Sequence, residues 1–310
     1  MRRLSLPLVL LAALALAPSA SAAVQVGISD QQAATFTSPL YAPLNLTIAR
    51  YITSYDVMSD GYYHSKLDEW LSAARGANQR ILIAFEHSYK KGRQKHVPSV
   101  AEYTKAISAF HAAYPEIVEI QPWNEANRCQ RELSDGNVVG QPICHNPKRA
   151  AEYYMAARKV FAGAKITGLD VLDQNNVGPS VAYVRQFLKF AHPRPRYWGF
   201  HNYSDTNRFS TKRTQALLKA TRTGEVWLTE TGGIVQFGTN FPYNTHRAAR
   251  AIGCMFTLAK QNSRIKRLYV YQFNGAPKGF SFDAGIVNVD GTARPSWTVV
   301  KQRKARTCRK

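Results

Sequence analysis

Short strand-like stretches alternate with helix-like ones along almost the whole chain, and this alternation limits the fold more than any other feature. The strand-like stretches are residues 24–28, 47–53, 80–85, 118–122, 166–172, 197–201, 226–229 and 267–273. Each is rich in β-branched or aromatic residues and ends at turn formers. Helix-like stretches lie between them at 63–77, 99–113, 147–162, 180–191, 211–221 and 245–261, with a short last one at 296–301. Such alternation builds βαβ units on a parallel sheet. Eight repeats predict an α/β fold, a single (β/α)8 TIM barrel over residues 24–300, in place of an open sheet. No linker rich in Pro, Gly or Ser divides this span. The two longest connections, 126–146 and 275–295, follow the fourth and eighth strands. Both fall at the C-terminal ends of the strands, the face on which barrel enzymes build their sites.

The first 23 residues read differently. Arg2 and Arg3 precede an apolar run from Leu4 to Ala17, followed by Pro18 and the small residues Ser19 to Ala23. A basic start, a short apolar core and an A-x-A-like end predict a secretory signal peptide over residues 1–23. The run is shorter than the roughly 20 residues a membrane span needs. The expected location is therefore extracellular, with periplasm or cell wall as variants, and no membrane contact after cleavage.

Four cysteines, Cys129, Cys144, Cys254 and Cys308, form an even set in an exported chain and predict two disulfides. Three connectivities are open. Cys129–Cys144, closing a short loop, and Cys254–Cys308, tying the C-terminal tail to a helix, are preferred. No CxxC or HExxH spacing supports zinc.

With 45% hydrophobic and 20% charged residues, the chain can build a core, which excludes a disordered or collagen-like protein. Its 41 Lys and Arg against 20 Asp and Glu give a formal charge of +21. Loss of Arg2 and Arg3 lowers this by two, to +19, since residues 1–22 contain no acid. A field of that size favours anionic surfaces such as an acidic polysaccharide or a cell-wall polymer. The cations are dispersed, apart from residues 90–95 and the basic tail 301–310, and no nucleic-acid motif accompanies them. Nucleic acid is not an expected partner, and a monomer is.

The fourth strand ends in Gln121-Pro122-Trp123-Asn124-Glu125, and the seventh in Trp227-Leu228-Thr229-Glu230-Thr231-Gly232. Each places a glutamate where a barrel strand becomes a loop, so the two can face one another across the mouth. Hydrolysis of a glycosidic bond requires such a pair: one carboxyl protonates the leaving oxygen while the other attacks or stabilises the anomeric carbon. Trp123-Asn124-Glu125 and Leu228-Thr229-Glu230-Thr231-Gly232, in strand order, resemble the signatures of glycoside hydrolase clan A. This is the (β/α)8 group of retaining glycosidases, and the pattern is nearest to its cellulase-like and family 39-like branches.

The resemblance implies that Glu125 is the general acid/base, Glu230 the nucleophile, and Asn124 the residue holding the sugar 2-hydroxyl. It also implies that Arg50 keeps the nucleophile ionised and that His201 or Tyr203 lies next to it. Residues 201 and 203 are two apart, so an extended chain turns both toward one face. Trp123 is a further candidate for sugar contact. Where many clan members carry a tryptophan on strand 8, this chain has Tyr269-Val270-Tyr271-Gln272-Phe273, making Tyr271 and Phe273 the candidates for stacking. Glu86, His87, Asp56 and Asp173 also fall at strand ends and are candidates for lining the site.

The expected activity is therefore a secreted retaining β-glycoside hydrolase that cleaves a polysaccharide or oligosaccharide by double displacement. Its carboxyl groups are expected about 5–5.5 Å apart, against 6.5–9.5 Å for an inverting pair. The mechanism asks for a raised pKa at Glu125 and an anionic Glu230. It needs no cofactor and no metal. The alternative is a non-catalytic carbohydrate-binding or cell-wall-associated barrel, since a fold does not guarantee an activity. No GxSxG elbow, P-loop or GxGxxG after a strand points elsewhere. Asn45-Leu46-Thr47 and Asn202-Tyr203-Ser204 match the glycosylation pattern, the second by chance if it lies in the site.

Overall fold

A computed structural model describes residues 23–132 and 138–309. All but the last residue of the predicted signal peptide, and Lys310, lie outside the described residues. Eight parallel strands close into a barrel: β1 (Gln25–Ser29), β2 (Ile48–Ser54), β3 (Arg80–Glu86), β4 (Glu119–Gln121), β5 (Lys165–Leu172), β6 (Tyr197–His201), β7 (Glu225–Thr231) and β8 (Ile265–Val270). Neighbours in sequence are neighbours in the sheet, and β1 closes the circle by pairing with both β2 and β8. This is the predicted (β/α)8 barrel.

The helices are α1 (Gly61–Gly76), α2 (Val100–Ala113), α3 (Pro147–Val160), α4 (Gly178–Phe187), α5 (Tyr203–Arg208), α6 (Lys212–Thr221), α7 (Thr245–Lys260) and α8 (Pro295–Lys301). Their starts are written into the sequence. Ser99 and Glu102 form a reciprocal capping box on α2, and Asp60, Asn146 and Asn244 cap α1, α3 and α7 through their side chains. Between β1 and β2 the chain makes only 3-10 turns. Helix α5 is absent from the sequence reading. Among the described residues no helix is long and apolar enough to cross a membrane.

The strands sort their side chains by alternation. Residues on the outer face, such as Val26, Ile28, Ile83, Phe85, Val226 and Leu228, pack under the helices in one continuous core. Ile48, Leu82, Trp227 and Tyr269 form a separate apolar cluster. Beside it the Arg267 guanidinium lies 3.9 Å from the Trp227 ring centroid and pairs with Glu119, Nη2 to Oε1 at 3.0 Å. Nearer the C-terminal ends, Arg50, Gln121, Asp170, His201 and Thr229 replace the apolar side chains, and all are buried. Gly199 makes room for them: a Cβ there would sit 2.5 Å from Asp170 Oδ1 and 2.6 Å from Gln121 Nε2. The barrel therefore has an apolar plug with a hydrogen-bonded polar layer that leads up to its mouth.

Both preferred disulfides are present, Cys129–Cys144 and Cys254–Cys308. The first fastens the loop after β4, and the second holds the C-terminal tail on α7. The tail lies close to that helix, with Arg306 N–H donating to Gly253 O at 2.9 Å and Thr257 Oγ1 donating to Arg306 O at 2.7 Å. Gly253 permits the approach, because a Cβ there would meet the Arg306 side chain at 2.6 Å.

Candidate active site

Glu125 stands just beyond β4 and Glu230 within the last turn of β7. The register pairs His201 with Glu230 across β6 and β7, and Arg50 with Ser29 across β2 and β1. Glu125 has φ of 42°, a left-handed conformation that a side-chain-bearing residue adopts only when its surroundings impose it. Two flanking bonds do so: Asn124 N–H donates to Phe85 O at 2.7 Å, and Ala126 N–H donates to Asp170 O at 3.2 Å. The turn aims the Glu125 side chain into the mouth. Single oxygens of Glu125 and Glu230 and one nitrogen of His201 all lie within 4.8 Å of one another.

Arg50, wholly buried, organises the floor. Its Nη1 donates to Glu230 Oε2 at 3.0 Å and to Ser29 Oγ at 3.1 Å, while Nη2 donates to Asp170 Oδ2 at 2.8 Å and to Asn124 Oδ1 at 2.7 Å. Tyr203 OH donates to the other oxygen of Glu230, Oε1, at 3.0 Å. Both oxygens of Glu230 are thus held by donors from different elements. His201 completes the set: Nε2 lies 2.9 Å from Asp170 Oδ2, and Nδ1 lies 3.0 Å from Glu125 Oε1 and 3.7 Å from Glu230 Oε2. Burial opposes a charge on this imidazole, but Asp170 and Glu230 overcome it and push its pKa up to about 10. With a carboxylate oxygen facing each ring nitrogen, the surroundings favour the imidazolium form.

The protonation order differs from expectation. Burial disfavours a charge on Glu125, but Arg128 and His201 outweigh it and hold the carboxyl well below the usual carboxylate range. Arg128, three residues on, turns back so that Nη1 reaches Glu125 Oε2 at 2.7 Å. Glu230 is shifted upward, chiefly by burial, with the charges of Glu125 and Asp170 adding to it and those of His201 and Arg50 opposing. In this state Glu125 is the firmer anion, the reverse of what an acid awaiting substrate requires.

The other sequence candidates divide into two groups. Glu86, His87, Asn124 and Tyr271 line a cleft of about 630 Å³ together with Glu125, Arg128 and Glu230. Asn124 is bound on both sides, by Arg50 at Oδ1 and by its own Nδ2 donating to Glu86 Oε2 at 3.1 Å. Trp123 lies beneath the cleft, not in it: it is buried, stacks on Tyr153 and Tyr55, and donates from Nε1 to Gln141 Oε1 at 2.8 Å. Phe273 is likewise buried, against Tyr41. Both are packing residues, because the chain turns each side chain outward from the mouth.

Asp173 is buried and accepts the N–H groups of Ser204 and Asp205, both at 2.9 Å, and Asp56 accepts from Ser88 Oγ at 2.8 Å. The first holds the start of α5 and the second ties two loops together. Tyr203 reaches Glu230 as expected, but from the first turn of α5 and not from an extended chain. Asn202 is buried and accepts from Thr231 Oγ1 at 2.6 Å, which closes its glycosylation pattern to use. Sequence reasoning missed Asp170 and Arg128. An acid inside the apolar strand Lys165–Leu172 was a usable signal for the first, whereas the second read as an ordinary loop cation.

The Glu125–His201–Glu230 grouping has spacing a metal could use. Its donor set does not suit one, since both His201 nitrogens lie against carboxylate oxygens and Arg50 and Arg128 already pair with Glu230 and Glu125. Cys129, Cys144 and His145 also cluster, with both thiols consumed in a disulfide.

No protein-family profile and no curated protein sequence matches the chain. Solved structures do. GH5_18 from Streptomyces cattleya in complex with GlcNAc matches with a TM-score of 0.63 at 12% identity, over 90% of this chain and 79% of that one. Xylanase 10B from Thermotoga maritima matches at 0.62 and 10% identity, over 90% and 94%. A family 39 glycoside hydrolase from Bacteroides cellulosilyticus WH2 matches at 0.58 and 14%, over 90% of this chain and 62% of the other. The chain shares the (β/α)8 barrel of these glycosidases, the clan its motifs resemble.

Proposed function

We propose that the protein is a retaining β-glycoside hydrolase, exported from the cell, that cleaves O-glycosidic bonds of a polysaccharide or oligosaccharide. The observation that carries the reading is the carboxylate pair: oxygens of Glu125 and Glu230 within 4.8 Å of one another, at the ends of β4 and β7. So close an approach supports the roughly 5–5.5 Å separation of a retaining pair over the 6.5–9.5 Å of an inverting one.

Glu230 is the nucleophile. Arg50 and Tyr203 fix its two oxygens, so that one points at the anomeric carbon without rotamer loss. Its oxygen forms a bond to that carbon as the glycosidic C–O bond breaks, and Glu125 delivers its proton to the departing oxygen. Glu125, now a carboxylate, takes a proton from water, whose oxygen bonds to the same carbon. The bond to Glu230 breaks, and the sugar leaves with its configuration retained. The His201 imidazolium, 3.0 Å from Glu125 and 3.7 Å from Glu230, compensates whichever carboxylate is negative at each stage.

The test is reducing-end release from a panel of neutral and acidic polysaccharides by the protein and by Glu230→Ala, with product anomers followed by NMR. Release by the first alone, as the β-anomer, supports the reading. The second reading, a carbohydrate-binding barrel without turnover, is favoured by one observation, the ion pair that keeps Glu125 anionic. Binding of a glycan with no release from any substrate would establish it.

A further inference from the structure

Glu125 cannot serve as an acid while Arg128 holds it, and the geometry of that contact indicates what removes the arginine. The Arg128 side chain is 40% exposed, and Glu125 is its sole side-chain partner among the described residues. It lies on the loop after β4, on the cleft wall beside Oε2 of Glu125. The other oxygen, Oε1, faces His201. Oε2 is therefore the oxygen that must meet the leaving group, and Arg128 occupies the place beside it. A guanidinium with free N–H groups, already seated on a carboxylate, suits a second anion in bidentate geometry. Lys91, exposed on the rim of the same cleft, has no ion-pair partner among the described residues.

We propose that Arg128 is the receptor for an anionic substituent, a carboxylate or sulfate, on the sugar that binds on the leaving-group side of the cleft, and that capture of this anion frees Glu125. This rests on the reading of Glu125 as the acid. The resting ion pair then acts as a selectivity device. A neutral glycan leaves Arg128 on Glu125 and the acid unprotonated. An acidic glycan exchanges one anion for another on Arg128. Once Arg128 has moved, Glu230 faces Arg50 and His201 while Glu125 faces His201 alone, so the proton belongs on Glu125. No proton or bond is created by the exchange; the proton on Glu125 comes from solvent.

The experiment compares the full chain with Arg128→Gln on uronate-containing polysaccharides, each beside its carboxyl-reduced form, with a sulfated galactan beside its desulfated form. The expected result is a kcat/KM at least tenfold higher on an acidic form than on its neutralised partner, with Arg128→Gln bringing the ratio to within twofold. Whether carboxyl reduction or desulfation abolishes the preference names the anion. Equal or faster cleavage of the neutral forms, or an equal loss on both in Arg128→Gln, overturns the proposal. If no polymer is cleaved, the glycosidase reading fails separately. Binding of oligogalacturonate and of sulfated galactan oligosaccharide then decides: tenfold weaker binding of either in Arg128→Gln supports the anion site, and unchanged binding of both removes it. A circular dichroism melt of Arg128→Gln confirms that the variant is folded.

Discussion

Because Arg50 is fully buried and its guanidinium meets Asp170 and Glu230 at 2.8 and 3.0 Å, removing it leaves two carboxylates with less counter-charge. Arg50→Met is expected to cost about 3–5 kcal/mol in urea unfolding, the range for one partner removed from a buried pair. Arg50→Lys, which keeps the charge but loses the fork, falls between the two proteins. A second prediction concerns Glu125. The groups around it are Arg128, His201 from β6, Glu230 from β7, Arg50 from β2 and Tyr271 after β8. Arg128 holds the carboxyl down, so its loss raises the pKa of the proposed catalytic acid. The basic limb of the kcat/KM profile in Arg128→Gln is expected at higher pH than in the parent, and a limb that stays or moves down contradicts the assignment. At this scale the residue types at strand ends singled out Glu125, Glu230, Arg50, His201 and Tyr203, which the fold brings into contact with one another. It could not show direction. Trp123 and Phe273 sit one or two residues from positions that line the cleft, yet the chain turns them into the core.

Elements were legible where a hydrophobic period was long enough to be read. All eight barrel strands lie where their β-branched runs predict, with differences at the ends that have local causes. β4 stops at Gln121 because Pro122 has no N–H to give the sheet. β8 ends at Val270, three residues early, because Gln272, Gly275 and the carbonyl of Phe273 bond to residues 284–287 of the following loop, while Phe273 N–H donates to the Asp30 side chain and not to a strand backbone. Helix α5, only six residues long, has too little period to be seen in sequence, and it depends on a tertiary contact. Its first N–H groups, those of Ser204 and Asp205, are satisfied by Asp173 from the end of β5. Burial, helped by the nearby Asp205, lifts the Asp173 carboxyl to about 7 although these N–H groups favour its charge. A carboxyl raised on folding contributes stability fully below its unfolded value of 3.8 and loses that contribution as pH rises through 7. The melting temperature should therefore fall between about pH 4 and pH 7, and Asp173→Asn, which cannot ionise, should flatten this part of the curve. An unchanged slope in the variant would assign the fall to other groups.

Cations outnumber anions by 21 in the full sequence, and this excess is dispersed along the chain apart from the loop at 90–95 and the tail. The disulfide at Cys308 and the Arg306 contacts keep that tail on α7, so its charge belongs to the folded surface. Two electrostatic effects on an acidic glycan follow, with different salt sensitivities. The surface field acts over distance on the encounter and is screened within a Debye length, about 10 Å at 0.1 M salt and 3 Å at 1 M. Arg128 acts at contact, partly desolvated in the cleft wall beside Glu125, where screening is weaker. Raising salt from 20 mM to 0.5 M should thus raise KM for an acidic polysaccharide severalfold while kcat holds, since capture by Arg128 survives once substrate is bound. A neutral polysaccharide should show little change in KM over the same range. Steady-state kinetics at fixed pH separate the two terms. If kcat falls with salt as steeply as KM rises, anion capture depends on the long-range field and not on the arginine beside the acid. If KM does not move, the dispersed charge has no part in substrate encounter.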